Sequence, residues 1–328
     1  MRLGILLARR SHLKTLSPVI DASLARGHET TLVCAPIAAK KGDRLDIREV
    51  KQLWPEARLR GDAALLDVLV GLDGCLPVLP IKLVGVDAFF DTWLYPPKPG
   101  RTACYASDFH FFTRDNLWRT EHHMKPLAIV GWLPADQAKW IAPAPRDCAV
   151  FFTLKLDVPE PWRTSPDGRA FYRDVFEAAR AQARADGLKF IVKSRAKNKD
   201  PWWVWWYADE YVVDECMVPY TSLSLLARAR WAVHFESGAA LECALMGAYG
   251  YVLNVPQTHV DALPGAQHIY WRKGQEAPRM HCWPGVTQYG VPTDFSEVDP
   301  AARQAYIEHF IGPCDGKAGE RVIDVCEG

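Results

Sequence analysis

Leu3-Gly4-Ile5-Leu6-Leu7-Ala8 opens the chain as an unbroken apolar run of strand length, the pattern of a strand covered on both faces. Arg9-Arg10-Ser11-His12 is a polar break, and residues 14–26 then carry Leu16, Val19, Ile20 and Leu24 at helical spacing. Gly27 supplies the stop, and residues 30–35 form a second short apolar strand. Strand, helix and strand in such close succession make a βαβ unit. The sheet is therefore expected to be parallel, with a right-handed crossover.

Outward from that unit the alternation continues. Residues 62–72 read as a helix, and 82–90 and 126–132 as strands. Ala142-Pro143-Ala144-Pro145-Arg146 is stiff and proline-bearing, which suits a linker. Beyond it the grammar restarts. Residues 148–156 read as a strand, and 168–187 as a long helix bounded by glycines, with Phe171, Val175, Phe176 and Ala179 on one stripe. Further strands are expected at 189–193, 211–213, 231–235 and 249–255, with helices at 221–229 and 239–247. The expectation is an α/β chain of two doubly wound, Rossmann-like domains, 1–143 and 147–310, closed by a helix in 311–328.

Composition bounds the function. Across 328 residues the 39 basic and 39 acidic side chains cancel, which argues against a nucleic-acid binder working through a global positive field. Hydrophobic residues at 49% and charged residues at 24% exclude a disordered chain. No apolar stretch approaches the ~20 residues of a membrane span, and the opening run is too short for a signal peptide, so the chain reads as cytoplasmic. The nine cysteines include no C-x-x-C pair, and Cys34, Cys148 and Cys243 lie inside apolar runs, as structural thiols do.

Phe235-Glu236-Ser237-Gly238-Ala239-Ala240-Leu241-Glu242 carries the clearest chemistry. It leaves a buried strand, turns on Ser-Gly and enters an apolar helix. A helix opened this way presents backbone N–H groups at Ser237, Gly238 and Ala239 to an anion, and Glu242, one turn in, suits a ribose diol. The same spacing also suits a capped helix whose glutamate serves local electrostatics. Lys193-Ser194-Arg195-Ala196-Lys197-Asn198-Lys199 stands at a strand's carboxyl end, where Lys193 and Arg195 fit a phosphate; a solvated basic loop is the plainer alternative. Trp202-Trp203-Val204-Trp205-Trp206 suits core packing, a partner interface, a membrane surface or a sugar face. His12 after the first strand has the titration range of a base, with an incidental loop histidine as the plainer alternative, and Asp108 and Glu236 are carboxylates suited to activating a hydroxyl or stabilising a cationic centre, although Asp108 equally suits the cap of a turn. His122-His123 and His234-x-Glu236 lack a third metal ligand at a usable spacing, so no metal and no cofactor is expected. The P-loop, G-x-G-x-x-G and G-x-S-x-G patterns are missing from the sequence.

The order strand, Ser-Gly, Leu241-Glu242, Ala244-Leu245-Met246-Gly247 and strand resembles the nucleotide-binding turn of GT-B glycosyltransferases. His12-Leu13-x-x-Leu16-x-Pro18-Val19 with Leu24-Ala25-Arg26-Gly27-His28-Glu29 resembles the opening of that fold. Asp315-Gly316-Lys317-Ala318-x-Glu320-Arg321-Val322-Ile323 is similar to the last helix of capsule- and envelope-polysaccharide transferases, and residues 40–145 match nothing comparable. The resemblance implies two domains facing a cleft and a final helix crossing back to the first. It further implies metal-independent transfer of a sugar from a nucleotide-activated donor to a glycan or lipid-linked glycan acceptor, with Lys193, Arg195, Ser237, Gly238, Ala239 and Glu242 on the donor and His12, Asp108 or Glu236 in catalysis. Peripheral contact with the inner face of a membrane is a further expectation. A non-hydrolysing sugar-nucleotide 2-epimerase shares these features, although only one glutamate, Glu242, follows the turn. A non-catalytic scaffold using the tryptophans as a docking surface is the third reading.

Overall fold

Strand β1 (Arg2–Leu7) is buried from Leu3 onward, which is why its apolar run does not alternate. Helix α1 (Ser11–Ala25) follows at once, beginning three residues earlier than its periodicity suggested and so taking His12 into its first turn. Gly27 has φ +69°, the left-handed conformation that ends a helix with least strain in glycine. β2 (Glu29–Cys34) then pairs parallel with β1, Leu3 opposite Thr30 and Leu7 opposite Cys34. The computed structural model describes residues 1–35, 43–72, 75–86, 102–106, 128–153, 166–195, 199–235, 237–253, 282–292 and 297–328. These form two compact units, Met1–Trp140 with Glu308–Gly328, and Ile141–Ile307.

In the first unit, helix α2 (Ile47–Leu53) is followed by strands β3 (Arg58–Arg60), β4 (Val68–Leu72), β5 (Lys82–Val86), β6 (Thr102–Tyr105) and β7 (Ala128–Ile129). The seven described strands run parallel in the order β3-β2-β1-β4-β5-β6-β7. The expected helix over 62–72 is not formed. Val68-Leu69-Val70-Gly71-Leu72 is a fully buried strand instead, with Val68 opposite Leu3. Sheet burial on two faces outweighs a loosely helical spacing there. The turn before it is pinned by Asp67, whose carboxylate accepts the Arg2 backbone N–H at 2.8 Å and its guanidinium at 2.6 Å. Those bonds hold the carboxyl down to about 2.

A 3-10 helix (Leu133–Trp140) and the last helix, residues 318–327, complete this unit around α1. Gly319 lies so close to Pro18 that a Cβ there would stand 2.2 Å from the Pro18 carbonyl oxygen. The buried Asp136 carboxylate accepts the Gly319 N–H at 2.9 Å, satisfying a donor of the helix's first turn. At the other end Lys82 donates to the carbonyls of Val325 (2.7 Å) and Cys326 (3.1 Å), where a cation also complements the helix dipole.

The second unit holds β8 (Cys148–Phe152), α3 (Pro166–Ala185), β9 (Lys189–Lys193), α4 (Trp202–Trp206), β10 (Glu210–Val212), α5 (Thr221–Arg228) and β11 (Ala229–His234). Then come α6 (Ala239–Met246), β12 (Tyr249–Val252), β13 (Thr287–Tyr289) and α7 (Pro300–Tyr306), so the helix at 318–327 is α8. The six described strands are all parallel, in the order β10-β9-β8-β11-β12-β13. On one face Phe176 sits edge-on between Phe151 (5.4 Å) and Phe190 (5.3 Å); on the other, Val150, Ile191, Leu226 and Cys243 pack together.

Two arginines hold the carboxyl end of α6. Arg303 donates to the carbonyls of Ala244 and Leu245, both at 2.6 Å, and Arg146 donates to Met246 at 2.6 Å. The Cys243 carbonyl accepts the Ala248 N–H at 2.9 Å beside Gly247 in its left-handed conformation, so all four terminal carbonyls are satisfied. Arg303→Ala removes two charge-assisted bonds and is expected to cost about 2 kcal/mol. A thermal melt should show a midpoint lowered by roughly 5 °C.

Candidate functional site

A sheet ordered β10-β9-β8-β11-β12-β13 changes direction of winding between β8 and β11, and such sheets take ligands at the carboxyl ends beside that point. In the second unit those ends present Thr153 after β8, Lys193, Ser194 and Arg195 on and after β9, and Asp214 after β10. His234 ends β11, with the Ser237-Gly238 head of α6 beyond it.

Lys193 is buried, at 3% exposure. Its ammonium donates to the Ser194 carbonyl at 2.6 Å and to the Asp214 carboxylate. Burial pushes its pKa down, Asp214 and Glu242 support the charge, and Arg195 adds to the lowering. The structure therefore gives Lys193 an internal ion pair rather than the open phosphate contact expected of it. Arg195, one residue past Ser194, is exposed.

Glu242 is likewise buried, in the first turn of α6, at 5% exposure. The buried Tyr220 hydroxyl faces it, and burial together with the Glu242 charge pushes that phenol well up. The sequence reading expected free amides at the head of α6. Instead Ala239 donates to Ser237 Oγ (3.3 Å), Ala240 to the Ser237 carbonyl (3.1 Å), and Leu241 and Glu242 to Gly238 (3.1 and 3.3 Å). The amides of Ser237 and Gly238 have no acceptor among the described residues.

A polar network that the sequence reading did not single out joins three strand ends. Thr153 Oγ donates to Ser194 Oγ at 3.2 Å, Ser194 Oγ donates to the Asp200 carboxylate, and the Tyr211 hydroxyl donates to Asp200 at 2.9 Å. Position at a carboxyl strand end was the signal for Ser194 and Asp214; nothing local marked Asp200 or Tyr211. Burial lifts the Asp200 carboxyl above its ordinary 3.8 even against the hydrogen bonds from Ser194, Tyr211 and Thr153. Burial, with the Asp200 charge adding, takes Tyr211 up to about 12.

A carboxyl whose folded pKa is raised contributes stability in full below 3.8 and loses it as pH rises through the folded value. Asp200→Asn should flatten that slope. Urea midpoints at several pH values between about 4 and 7 should fall with rising pH more steeply for wild type than for the variant, so that the two proteins, most alike at the acid end where the amide stands in for the protonated carboxyl, part toward neutral pH.

His12 occupies the matching switch point of the first unit, between the ends of β1 and β4. It is buried, at 3% exposure; its Nδ1 accepts the Ala8 N–H at 3.3 Å, and Nε2 lies 3.9 Å from Cys75 Sγ. With Nδ1 accepting, the neutral ring carries its proton on Nε2. Burial lowers its pKa, so the ring seats the first turn of α1 rather than presenting an open base. Asp108 and Glu236 lie outside the described residues, as do His122 and His123. His234 is wholly buried in the sheet. Among the described residues no group of three His, Cys, Asp or Glu side chains is placed to hold a metal ion. Burial carries the thiols of Cys104 and Cys326 to about 12 and Cys148 to about 11, and none of the nine cysteines, all of them described, is in a disulfide. No described helix is long and apolar enough to cross a membrane.

Neither a family model nor a curated protein sequence matches the chain. Solved structures do. The Methanocaldococcus jannaschii UDP-GlcNAc 2-epimerase, in complex with UDP-GlcNAc and UDP, aligns over 100% of this chain and 99% of its own at 12% identity and TM-score 0.56. S. aureus MnaA with UDP aligns over 99% and 95% at 10% identity and TM-score 0.54. The spinosyn rhamnosyltransferase SpnG aligns over 99% and 95% at 13% identity and TM-score 0.48. The fold is of the GT-B type, two parallel α/β sheets and a C-terminal helix.

Proposed function

We propose that this chain is an enzyme acting on a nucleotide-activated sugar, and that its reaction is glycosyl transfer to a glycan acceptor. The observation that carries the reading is the buried Glu242 in the first turn of α6, beside the Ser237-Gly238 head of that helix and in the field of Lys193. A buried carboxylate accepts both hydroxyls of a ribose diol, while the Ser237 and Gly238 amides and the exposed Arg195 meet the phosphate. Lys193 acts on the phosphate through the field of its ion pair, and Ala239 enters through backbone approach only.

In such a reaction the bond between the sugar's anomeric carbon and the nucleotide's terminal phosphate oxygen breaks, and the acceptor hydroxyl oxygen forms the new bond. The hydroxyl proton passes to a base, for which Asp108 and Glu236 have the chemistry. The negative charge left on the phosphate is stabilised by Arg195 and the head of α6.

A 2-epimerase is the second reading, favoured by the fold likeness to the UDP-GlcNAc 2-epimerase and to MnaA. Inverting C2 requires carboxylates free to move protons. Against it, Asp200 and Asp214 already accept hydrogen bonds at the strand ends.

The test is calorimetric titration of the purified protein with UDP, TDP, CDP, GDP, ADP and CMP, followed by incubation of the sugar derivative of whichever nucleotide binds. Micromolar binding of one nucleotide, with the donor sugar unchanged until an acceptor glycan is added, is the expected result. Inversion of the donor sugar without acceptor selects the epimerase. Binding of none of the nucleotides removes both readings.

A further inference from the structure

Helix α4 resolves what the tryptophan run does. Trp202, Trp205 and Trp206 are 61%, 48% and 65% exposed. Their spacing of three and four residues puts all three on one face. The opposite face is anchored, with Val204 fully buried and Trp203 packed on Phe176 (5.1 Å) and Tyr172 (5.7 Å). The three exposed rings therefore cannot turn inward without dismantling that packing.

Arginines of α3 border α4. Arg173 lies over the Trp203 ring at 5.9 Å and Arg180 over Tyr207 at 4.9 Å. Since 173 meets 203 and 180 meets 207, α3 runs beside α4 in the same direction. Arg169, one turn before Arg173, extends the same face of α3, and Lys199, just ahead of α4, is exposed. Of the acidic groups near this edge, Asp200 is bound to Ser194 and Tyr211, Glu177 lies 3.6 Å from Arg180, exposed Asp209 accepts the Phe190 N–H at 2.8 Å, and Asp174 is exposed beside Arg173.

The rings do not form a sugar platform. Stacking along a glycan needs rings in a common plane, whereas Trp205 and Trp206 stand at 73° to one another, and Trp202 is tilted 42° from Tyr207. An edge-to-face ridge of indoles bordered by guanidinium groups has the chemistry of a bilayer's headgroup layer. Indole rings settle there with the N–H toward water, and arginines meet anionic headgroups. We infer that the exposed face of α4, with Arg169 and Arg173 of α3 and Lys199 just ahead of α4, seats this chain peripherally on an anionic lipid surface. α4 carries no charged residue of its own to oppose entry into that layer.

The measurement is co-sedimentation of the full chain with phosphatidylcholine vesicles, with and without about one-third phosphatidylglycerol. The wild-type chain should pellet with the anionic vesicles and be released by salt. W202S/W205S/W206S should remain in the supernatant while melting close to wild type, since these rings lie outside the core. R169Q/R173Q/K199Q should weaken binding roughly a hundredfold, at about fivefold for each cation near an anionic surface. Wild-type protein left in the supernatant, equal binding to neutral vesicles, or a triple tryptophan variant that still pellets would each overturn the inference. So would self-association of lipid-free wild type that the tryptophan variant abolishes, because the face would then belong to a second copy.

Discussion

Glu242→Gln should lower nucleotide affinity about a hundredfold while leaving the chain folded. The carboxylate is buried in the first turn of α6, where it faces the Tyr220 hydroxyl and contributes charge beside Lys193. An amide of the same shape fills the space but halves the acceptor capacity and removes the charge. A ribose diol then meets an N–H donor where it needs a lone pair, and the buried mismatch costs about 2–3 kcal/mol. Calorimetry on wild type and variant, with a thermal melt of each, separates binding from stability. Equal affinities for the nucleotide that the wild type binds would remove Glu242 from the site. A variant that melts far below wild type would instead make Glu242 a stability residue of the Lys193 cluster. A Glu242→Asp variant, which keeps the charge but shortens the reach, should recover little of the affinity.

Gly319→Ala should lower the stability of the first unit by about 3 kcal/mol. The added methyl carbon would lie 2.2 Å from the Pro18 carbonyl oxygen and 2.5 Å from its carbon, both backbone atoms inside α1. Neither can move aside as a side-chain tip would, so α8 must lift from α1. Lifting also strains the Asp136 bond to the Gly319 amide and, at the far end, the Lys82 bonds to Val325 and Cys326. A thermal melt should fall by roughly 6–12 °C. Ala318→Gly, one residue away and without a clash, is the control expected to cost about 1 kcal/mol through helix propensity and lost packing. An unchanged melt for Gly319→Ala would mean that α8 and α1 are not held as closely as the contact requires.

Much of the sheet architecture was legible because fully buried parallel strands announce themselves as apolar runs. β1, β9 and β12 read that way, as did the helices ended by Gly27 and Gly247, whose positive φ angles permit the stop. The run at 62–72 was misread because Leu65, Leu66, Leu69 and Leu72 fit a helical stripe as well as a turn followed by a strand. What decided between them was the neighbour, β1, sixty-odd residues away in sequence.

By itself the sequence determined the α/β class, the alternation of elements and the Ser-Gly turn into α6, because each depends on residues close along the chain. Only the tertiary structure decided what the charged groups do. Lys193 becomes an internal ion pair because Asp214, twenty-one residues on, is brought to the adjacent strand end. His12 becomes a buried, neutral ring because α1 begins early enough to fold it onto the Ala8 amide. The tryptophans divide into a packed face and an exposed one because α3 covers only one side of α4. Local pattern sets secondary structure, whereas the protonation, pairing and exposure of a side chain depend on the dielectric and partners that distant parts of the chain supply.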